Sequence, residues 1–175
     1  MLNSSFRGLS RGRLSAVTQL SLPYHVFEVT VPRRGKALLA IDALDGHLDL
    51  HRFESLPALN SSVHSQDGST VAVKLSVDLA LERIVDQTLR RVFLEGFFKR
   101  TNGPIEAQYV GILNIPYWIG IFERRGRVRL EVIDGYRGRF EGDKMRQVVA
   151  TILSARGRQT TEQPEDHGMR FGFRG

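Results

Sequence analysis

The sequence predicts an α+β protein, a mainly antiparallel sheet from two repeated hairpin units packed by a long central helix and a C-terminal helix. Three observations predict it. A run of five features occurs twice in one order, around Pro23-Tyr24 and around Pro116-Tyr117. A long stretch from Ser76 to Phe98 has apolar residues at helical spacing, and a shorter one from about Gly142 to Ala155 has them again. The 175 residues, 41% hydrophobic and 25% charged, suit one domain or two small fused units with a core built by packing alone.

The first twenty residues read as a basic, flexible arm carrying Arg7, Arg11 and Arg13. They lack the continuous apolar segment of a signal peptide. Their arginines and serines, with no acid before Glu28, also fit an organelle transit peptide. The first repeat unit with its following loop takes residues 21–75. It runs Leu22-Pro-Tyr-His-Val-Phe-Glu-Val-Thr-Val31, turns at Pro32-Arg-Arg-Gly35, and continues through Lys36 to Ile41-Asp42 and Gly46. The second unit with its helix takes residues 105–157. It runs Ile115-Pro-Tyr-Trp-Ile-Gly-Ile-Phe-Glu123, turns at Arg124-Arg-Gly126, and continues to Ile133-Asp134 and Gly138. The offset is 93 at the Pro-Tyr pairs, 91 at Gly35 and Gly126, and 92 at the two Asp residues, so only short loop adjustments separate the copies.

Each copy reads as a β-hairpin. Val, Ile, Phe and Tyr favour a pleated, half-buried surface, and a glycine beside two arginines gives the reversal its freedom at positive φ. Arg127 to Asp134 alternates polar and apolar, which predicts one wet and one dry face, whereas Ala37-Leu-Leu-Ala-Ile41 is apolar on both. Asp42 and Asp134 stand where an Asx-type turn accepts backbone amides.

Residues 76–100 form the connecting amphipathic helix. Ser76 is its N-cap, Asp78 sits in its first turn, and Thr101-Asn-Gly-Pro104 stops it. Ile105 to Leu113 reads as a strand leading into the second copy. Val71 to Leu75 reads as another strand or as the run-in to the helix. In the C-terminal helix Met145, Val148, Val149, Ile152 and Leu153 form the apolar stripe. Residues 158–175 read as a disordered tail, because Gln159 to Gly168 offers no aliphatic residue to offset the entropy of ordering.

Chemistry is thin. Cysteine is absent, so disulfides and thiolate–zinc sites are excluded, in keeping with a cytoplasmic protein. No run is apolar enough to span a bilayer. There is no phosphate loop, no dinucleotide fingerprint and no nucleophile elbow. The richest ionisable cluster, Asp42, Asp45, His47, Asp49 and His51, follows a strand, and in an extended chain residues four apart lie about 13 Å from each other. We therefore expect no catalytic residue, no cofactor and no metal. Two surfaces remain. Tyr24, His25, Tyr117 and Trp118 stand beside prolines at equivalent hairpin starts, where aromatic anchors on an open strand suit a protein partner or a second copy of the chain. Arg33, Arg34, Lys36, Arg124, Arg125 and Arg127 mark the two tips. With a net charge of +6, they would make one basic edge for nucleic acid if both tips point the same way.

Pro116-Tyr117-Trp118 with Asp134, Gly138 and Glu141-Gly142 resembles a pattern in uncharacterised bacterial proteins, and the hairpin units are similar to PepSY-like and cystatin-like repeats. The likeness covers about 60 residues. It implies a helix-and-sheet module that binds or inhibits other molecules, and it carries no catalytic residue. The expected function is thus a non-catalytic protein-binding or assembly module, with a basic nucleic-acid-associated protein as the alternative.

Overall fold

The computed structural model of the chain describes residues 12–55, 69–95 and 103–161. Strands β1 (Arg13–Val31), β2 (Gly35–Asp42), β3 (His51–Phe53) and β4 (Ser69–Thr70) precede helix α1 (Val77–Glu95). Strands β5 (Glu106–Arg124), β6 (Arg127–Asp134) and β7 (Arg139–Phe140) precede helix α2 (Asp143–Thr161). The fold is α+β, with a mainly antiparallel sheet in the order β3-β2-β1-β5-β6-β7. The short β4 joins β1 in parallel at Leu20 and Ser21.

The sheet is organised by β1 and β5, each 19 residues long, which pair antiparallel over nearly their whole lengths. Leu22 lies opposite Ile115, so the residues that precede the two Pro-Tyr pairs face each other. β2 pairs with β1 only from Tyr24 to Val31, and β6 with β5 only from Tyr117 to Arg124. The two hairpins therefore extend from the centre in opposite directions. Their turns use the arginines and glycines differently. In the first, Arg34 donates its amide to the Val31 carbonyl at 3.0 Å, with Pro32 at the second turn position and Arg33 at φ 66°. In the second, Arg125 (φ 51°) and Gly126 (φ 73°) both take the left-handed region, as a two-residue hairpin turn of matching twist requires.

Both Asp residues close their strands by accepting amides. Asp42 Oδ1 accepts from Leu44, Asp45 and Gly46, and Oδ2 from Leu48. Asp134 Oδ1 accepts from Tyr136 and Arg137.

Pleating divides the apolar residues between two faces. On one, Leu20, Leu22, Tyr24 and Val26 meet Leu113, Ile115, Tyr117 and Ile119, beneath Met145 and Val149 of α2. On the other, Phe27, Val29, Leu39 and Ile41 pack against Ala80, Ile84 and Val92 of α1. Each large aliphatic fully buried here contributes roughly 1.5–3 kcal/mol relative to exposure. Ser76 Oγ accepts the Leu79 amide at the start of α1, and Arg90 pairs with Asp86 one turn earlier at 2.9 Å.

Several boundaries differ from the sequence reading. Residues 13–20, expected as part of a flexible arm, form the first half of β1 and pair with β5. Ser15, Thr18 and Gln19 weaken the apolar alternation there, and the partner strand is about 100 residues away, so local pattern gives no warning. Residues 1–11 lie outside the described residues. The strand expected over Ile105 to Leu113 begins at Glu106 and runs on without a break to Arg124 as β5. Val71 to Leu75 is not a strand, and β4 ends just before it. α2 continues past Gly157 to Thr161, because one glycine costs a helix only about 1 kcal/mol. The remainder of the expected tail, 162–175, lies outside the described residues. In β6 the expected wet face closes over at Glu131, which is buried between Arg129 (2.5 Å) and Arg146 (3.2 Å).

Candidate functional site

Three of the four aromatic candidates turn inward. Tyr24, His25 and Tyr117 are buried, so none of these side chains is available to anchor a partner directly. Tyr24 and Tyr117 meet hydroxyl to hydroxyl at 2.7 Å, across the centre of the β1–β5 pair. His25 Nε2 donates to the Leu75 carbonyl at 2.8 Å and ties the entry of α1 to the sheet. Trp118 alone stays half-exposed, packed beside Phe122, Ile133 and Leu14. Aromatic residues at the start of a hairpin are surface anchors only if the strand lies at a sheet edge. Here the register places both Pro-Tyr pairs at the centre of the sheet.

The basic edge also divides. Thr30 lies opposite Glu106 and Arg13 opposite Glu123, so the two tips sit at opposite ends of β1. At strand rise, 19 residues separate them by about 60 Å of contour. Arg33, Arg34 and Lys36 therefore do not join Arg124, Arg125 and Arg127 in one surface. Lys36 pairs with Glu28 at 2.6 Å. The second tip instead gains Arg129 from β6 and Arg13 from β1, all exposed apart from the Arg129–Glu131 ion pair.

The Asp42–His51 cluster spreads over two environments. Asp42 and His51 are buried, whereas Asp45, His47 and Asp49 are exposed. Among the described residues no group of three or more His, Asp or Glu converges as a metal would require. His51 instead extends the tyrosine pair into a polar chain. Its Nε2 lies 3.2 Å from the Tyr117 hydroxyl, and its Nδ1 faces Asp134 Oδ2 at 3.8 Å. One proton arrangement fits the chain: Tyr24 donates to Tyr117, Tyr117 donates to Nε2, and Nδ1 carries the imidazole proton facing the carboxylate, beyond hydrogen-bond distance. Arg137 Nε stands 3.8 Å from the same oxygen, and its other end donates to the Leu50 carbonyl. Beside His51 a pocket of about 100 Å³ opens between Arg137, Glu141 and Lys144, a size suited to a few water molecules.

Burial sets the electrostatics of this chain. It pushes both phenols far above the ordinary tyrosine range, and the Asp134 and Glu141 carboxylates add to the effect at both, with Asp42 adding at Tyr24. Tyr109 is raised too, by burial alone. A spectrophotometric alkaline titration is therefore expected to leave two of the four tyrosines, Tyr24 and Tyr117, un-ionised until the protein unfolds. Full, reversible ionisation of all four in folded protein would contradict the buried pair.

Burial also lowers His51 to about 3, helped by Arg137 and Arg139. A histidine depressed in the fold contributes stability that is whole above its ordinary value near 6.5 and is lost as pH falls toward 3. Between pH 6.5 and 4.5 the loss approaches about 1.4 kcal/mol per pH unit. Glu141, raised by burial and then by Asp134, works in the opposite sense at the acid end. Denaturant midpoints measured across this window should fall with acid in the natural chain and stay nearly level in His51→Phe. Parallel slopes in the two proteins would contradict a buried neutral His51.

Comparison with protein-family models, with curated proteins and with solved structures finds no match for this chain.

The surface holds an arrangement that sequence reasoning missed. Residues 106–115 of β5 pair on one side only, with β1, among the described residues. Above that edge runs α1, which touches β5, β2 and β1. Gln87 donates to the Gly46 carbonyl and Arg83 packs on Gly46, so the Arg83–Gln87 flank of α1 abuts the turn after β2. Helical periodicity then puts Leu81, Val85 and Leu89 on the opposite flank, toward β5. Leu81 is 36% exposed, Tyr109 39% and Ile112 40%, with Val85 and Leu89 half-buried between helix and sheet. An open strand edge beside an apolar helix flank is the surface that an added strand uses. The only sequence signal was Leu81 itself, one of the apolar residues at helical spacing between Ser76 and Phe98. No helix of the described residues is long and apolar enough to cross a membrane, which says nothing of spanning by strands.

Proposed function

We propose that this chain is a non-catalytic protein-binding module that takes an extended segment of a partner along the outer edge of β5, beneath α1. The single observation that carries the reading is the coincidence of the β5 edge, residues 106–115, with exposed Leu81, Tyr109 and Ile112. An added strand completes the hydrogen bonding of the edge, and its inward side chains cover the helix flank. The buried tyrosine–histidine chain supports the same reading, since it serves packing at the sheet centre.

We further propose that the two hairpins are copies of one unit, related by a twofold axis through Leu22 and Ile115. Support comes from three features: the equal lengths of β1 and β5, the direct pairing of those two residues, and the Tyr24–Tyr117 contact at an offset of 93. The likeness to PepSY-like repeats belongs to this proposal. The helices do not follow the relation, since α1 packs on one face and α2 on the other. That difference leaves α1 over the β5 edge, where it forms the binding corner.

Peptides selected from a displayed random library on the immobilised chain should bind as extended segments with alternating apolar residues. Leu81→Glu and Ile112→Glu, both at exposed positions, should keep the fold by circular dichroism and weaken such peptides at least tenfold. Unchanged affinity in both variants would sink the assignment of the site.

A second reading rests on the second tip. Arg124, Arg125, Arg127 and Arg129, with Arg13 beside Glu123, concentrate charge at one end of the sheet. If nucleic acid is the partner, affinity falls steeply with salt and is lost on replacing Arg124, Arg125 and Arg127, while the β5-edge variants bind normally.

A further inference from the structure

We propose that the cleft between α2 and the loops after β2 and β4 binds a small amphipathic anion, an apolar chain bearing a carboxylate head. The cleft measures about 390 Å³, within the range of small-molecule sites. Leu48 and Val71 form one wall, and Val148 and Ile152, one turn apart on α2, form the other. Met145 and Val149 already seat α2 on the sheet, so Val148 and Ile152 lie beside the contact and stay half-buried. A chain of apolar carbons laid along that turn removes the half-buried Val71, Val148 and Ile152 from water and rests on the already buried Leu48.

The head group is chosen by charge. Lys74 and Lys144 stand on the rim, and neither belongs to an ion pair among the described residues. Lys144 Nζ donates to the His47 carbonyl, which fixes the ammonium at the mouth and leaves it two further donors. Asp45 is the one acid on the rim, and its Oδ1 already accepts the His47 amide. Two lysines against one acid select a carboxylate over an ammonium head. The larger cleft on the other flank of α2, about 610 Å³, is lined by Arg129 and Arg146, but those cations pair with Glu131 and Asp143. The 390 Å³ cleft thus combines apolar walls with two lysines available to a ligand.

Octanoate, 1-octanol and octylamine are the probes, titrated into the full chain while the methyl resonances of Val71, Val148 and Ile152 are followed. Octanoate should shift these methyls saturably and bind at least tenfold tighter than octanol, with octylamine weaker still. Lys74→Glu with Lys144→Glu should remove the preference for octanoate, and Val148→Trp should block every probe by filling the cleft. The three-probe comparison on the natural chain needs no variant to fold. Equal binding of octanoate and octylamine, or shifts confined to other methyls, would overturn the proposal. Loss of octanoate binding here leaves the β5-edge peptides untouched, so the two assignments fail independently.

Discussion

Replacing Asp42 with alanine should cost on the order of 4 kcal/mol, a large share of the stability of a domain this size. The carboxylate is buried and holds the amides of Leu44, Asp45, Gly46 and Leu48. Alanine leaves four donors without an acceptor, at roughly 1–3 kcal/mol for each one that water cannot reach. Two of the four belong to fully buried residues, Gly46 and Leu48, which sets the estimate. The same turn positions the Ala43 carbonyl, which accepts from Lys74 and Leu75 at the approach to α1. Loosening it therefore loosens the seat of that helix as well. Asp42→Asn keeps one oxygen for three of these amides and should cost about half as much. Urea denaturation of the three proteins measures the series, and a loss below about 1 kcal/mol in Asp42→Ala would contradict the role given to the carboxylate.

Gly135→Ala should be nearly as damaging, at about 3 kcal/mol. A Cβ there would lie 2.6 Å from the Pro116 carbonyl oxygen and 3.1 Å from its ring. The obstacle is backbone, and it is held in place because Gly135 donates its own amide to that oxygen at 2.7 Å. Relief requires parting β6 from β5 where Tyr117 enters the buried chain. Gly126→Ala is the control. It has open space around the new Cβ and only the left-handed φ of 73° to overcome, so it should cost about 1 kcal/mol. A reversed order of the two variants would contradict the packing described for the β5–β6 junction.

These two positions show what was legible in the sequence. The fold class was legible, as were the strand ends at Val31, Asp42 and Asp134, with the end of β5 read one residue early at Glu123, because turns depend on local residue chemistry: proline, arginine pairs beside glycine, and aspartate before a loop. α1 was legible from its apolar spacing and its Ser76 cap. The pairing of β1 with β5 was not, since antiparallel register between strands about 100 residues apart leaves no local trace. Everything that depended on that register was misplaced as a result. Tyr24 and Tyr117 looked like exposed anchors and lie at the sheet centre, and the two basic tips looked like one edge and lie at opposite ends. His51, read only as one member of an ionisable cluster, has its environment set by Tyr117 and Asp134, which reach it only through the assembled sheet. The exposed corner at Leu81, Tyr109 and Ile112 was hidden for the same reason. Helical spacing shows which residues are apolar, but the neighbouring strands decide which flank of the stripe is covered.

The most direct test of the protein-binding account is amide hydrogen exchange of the full chain with and without a peptide selected on it. The account predicts new protection concentrated in residues 106–115 of β5 and in the Leu81–Leu89 stretch of α1, with the second hairpin tip unchanged. Protection centred on Arg124 to Arg129, or spread evenly without a maximum along β5, would contradict it.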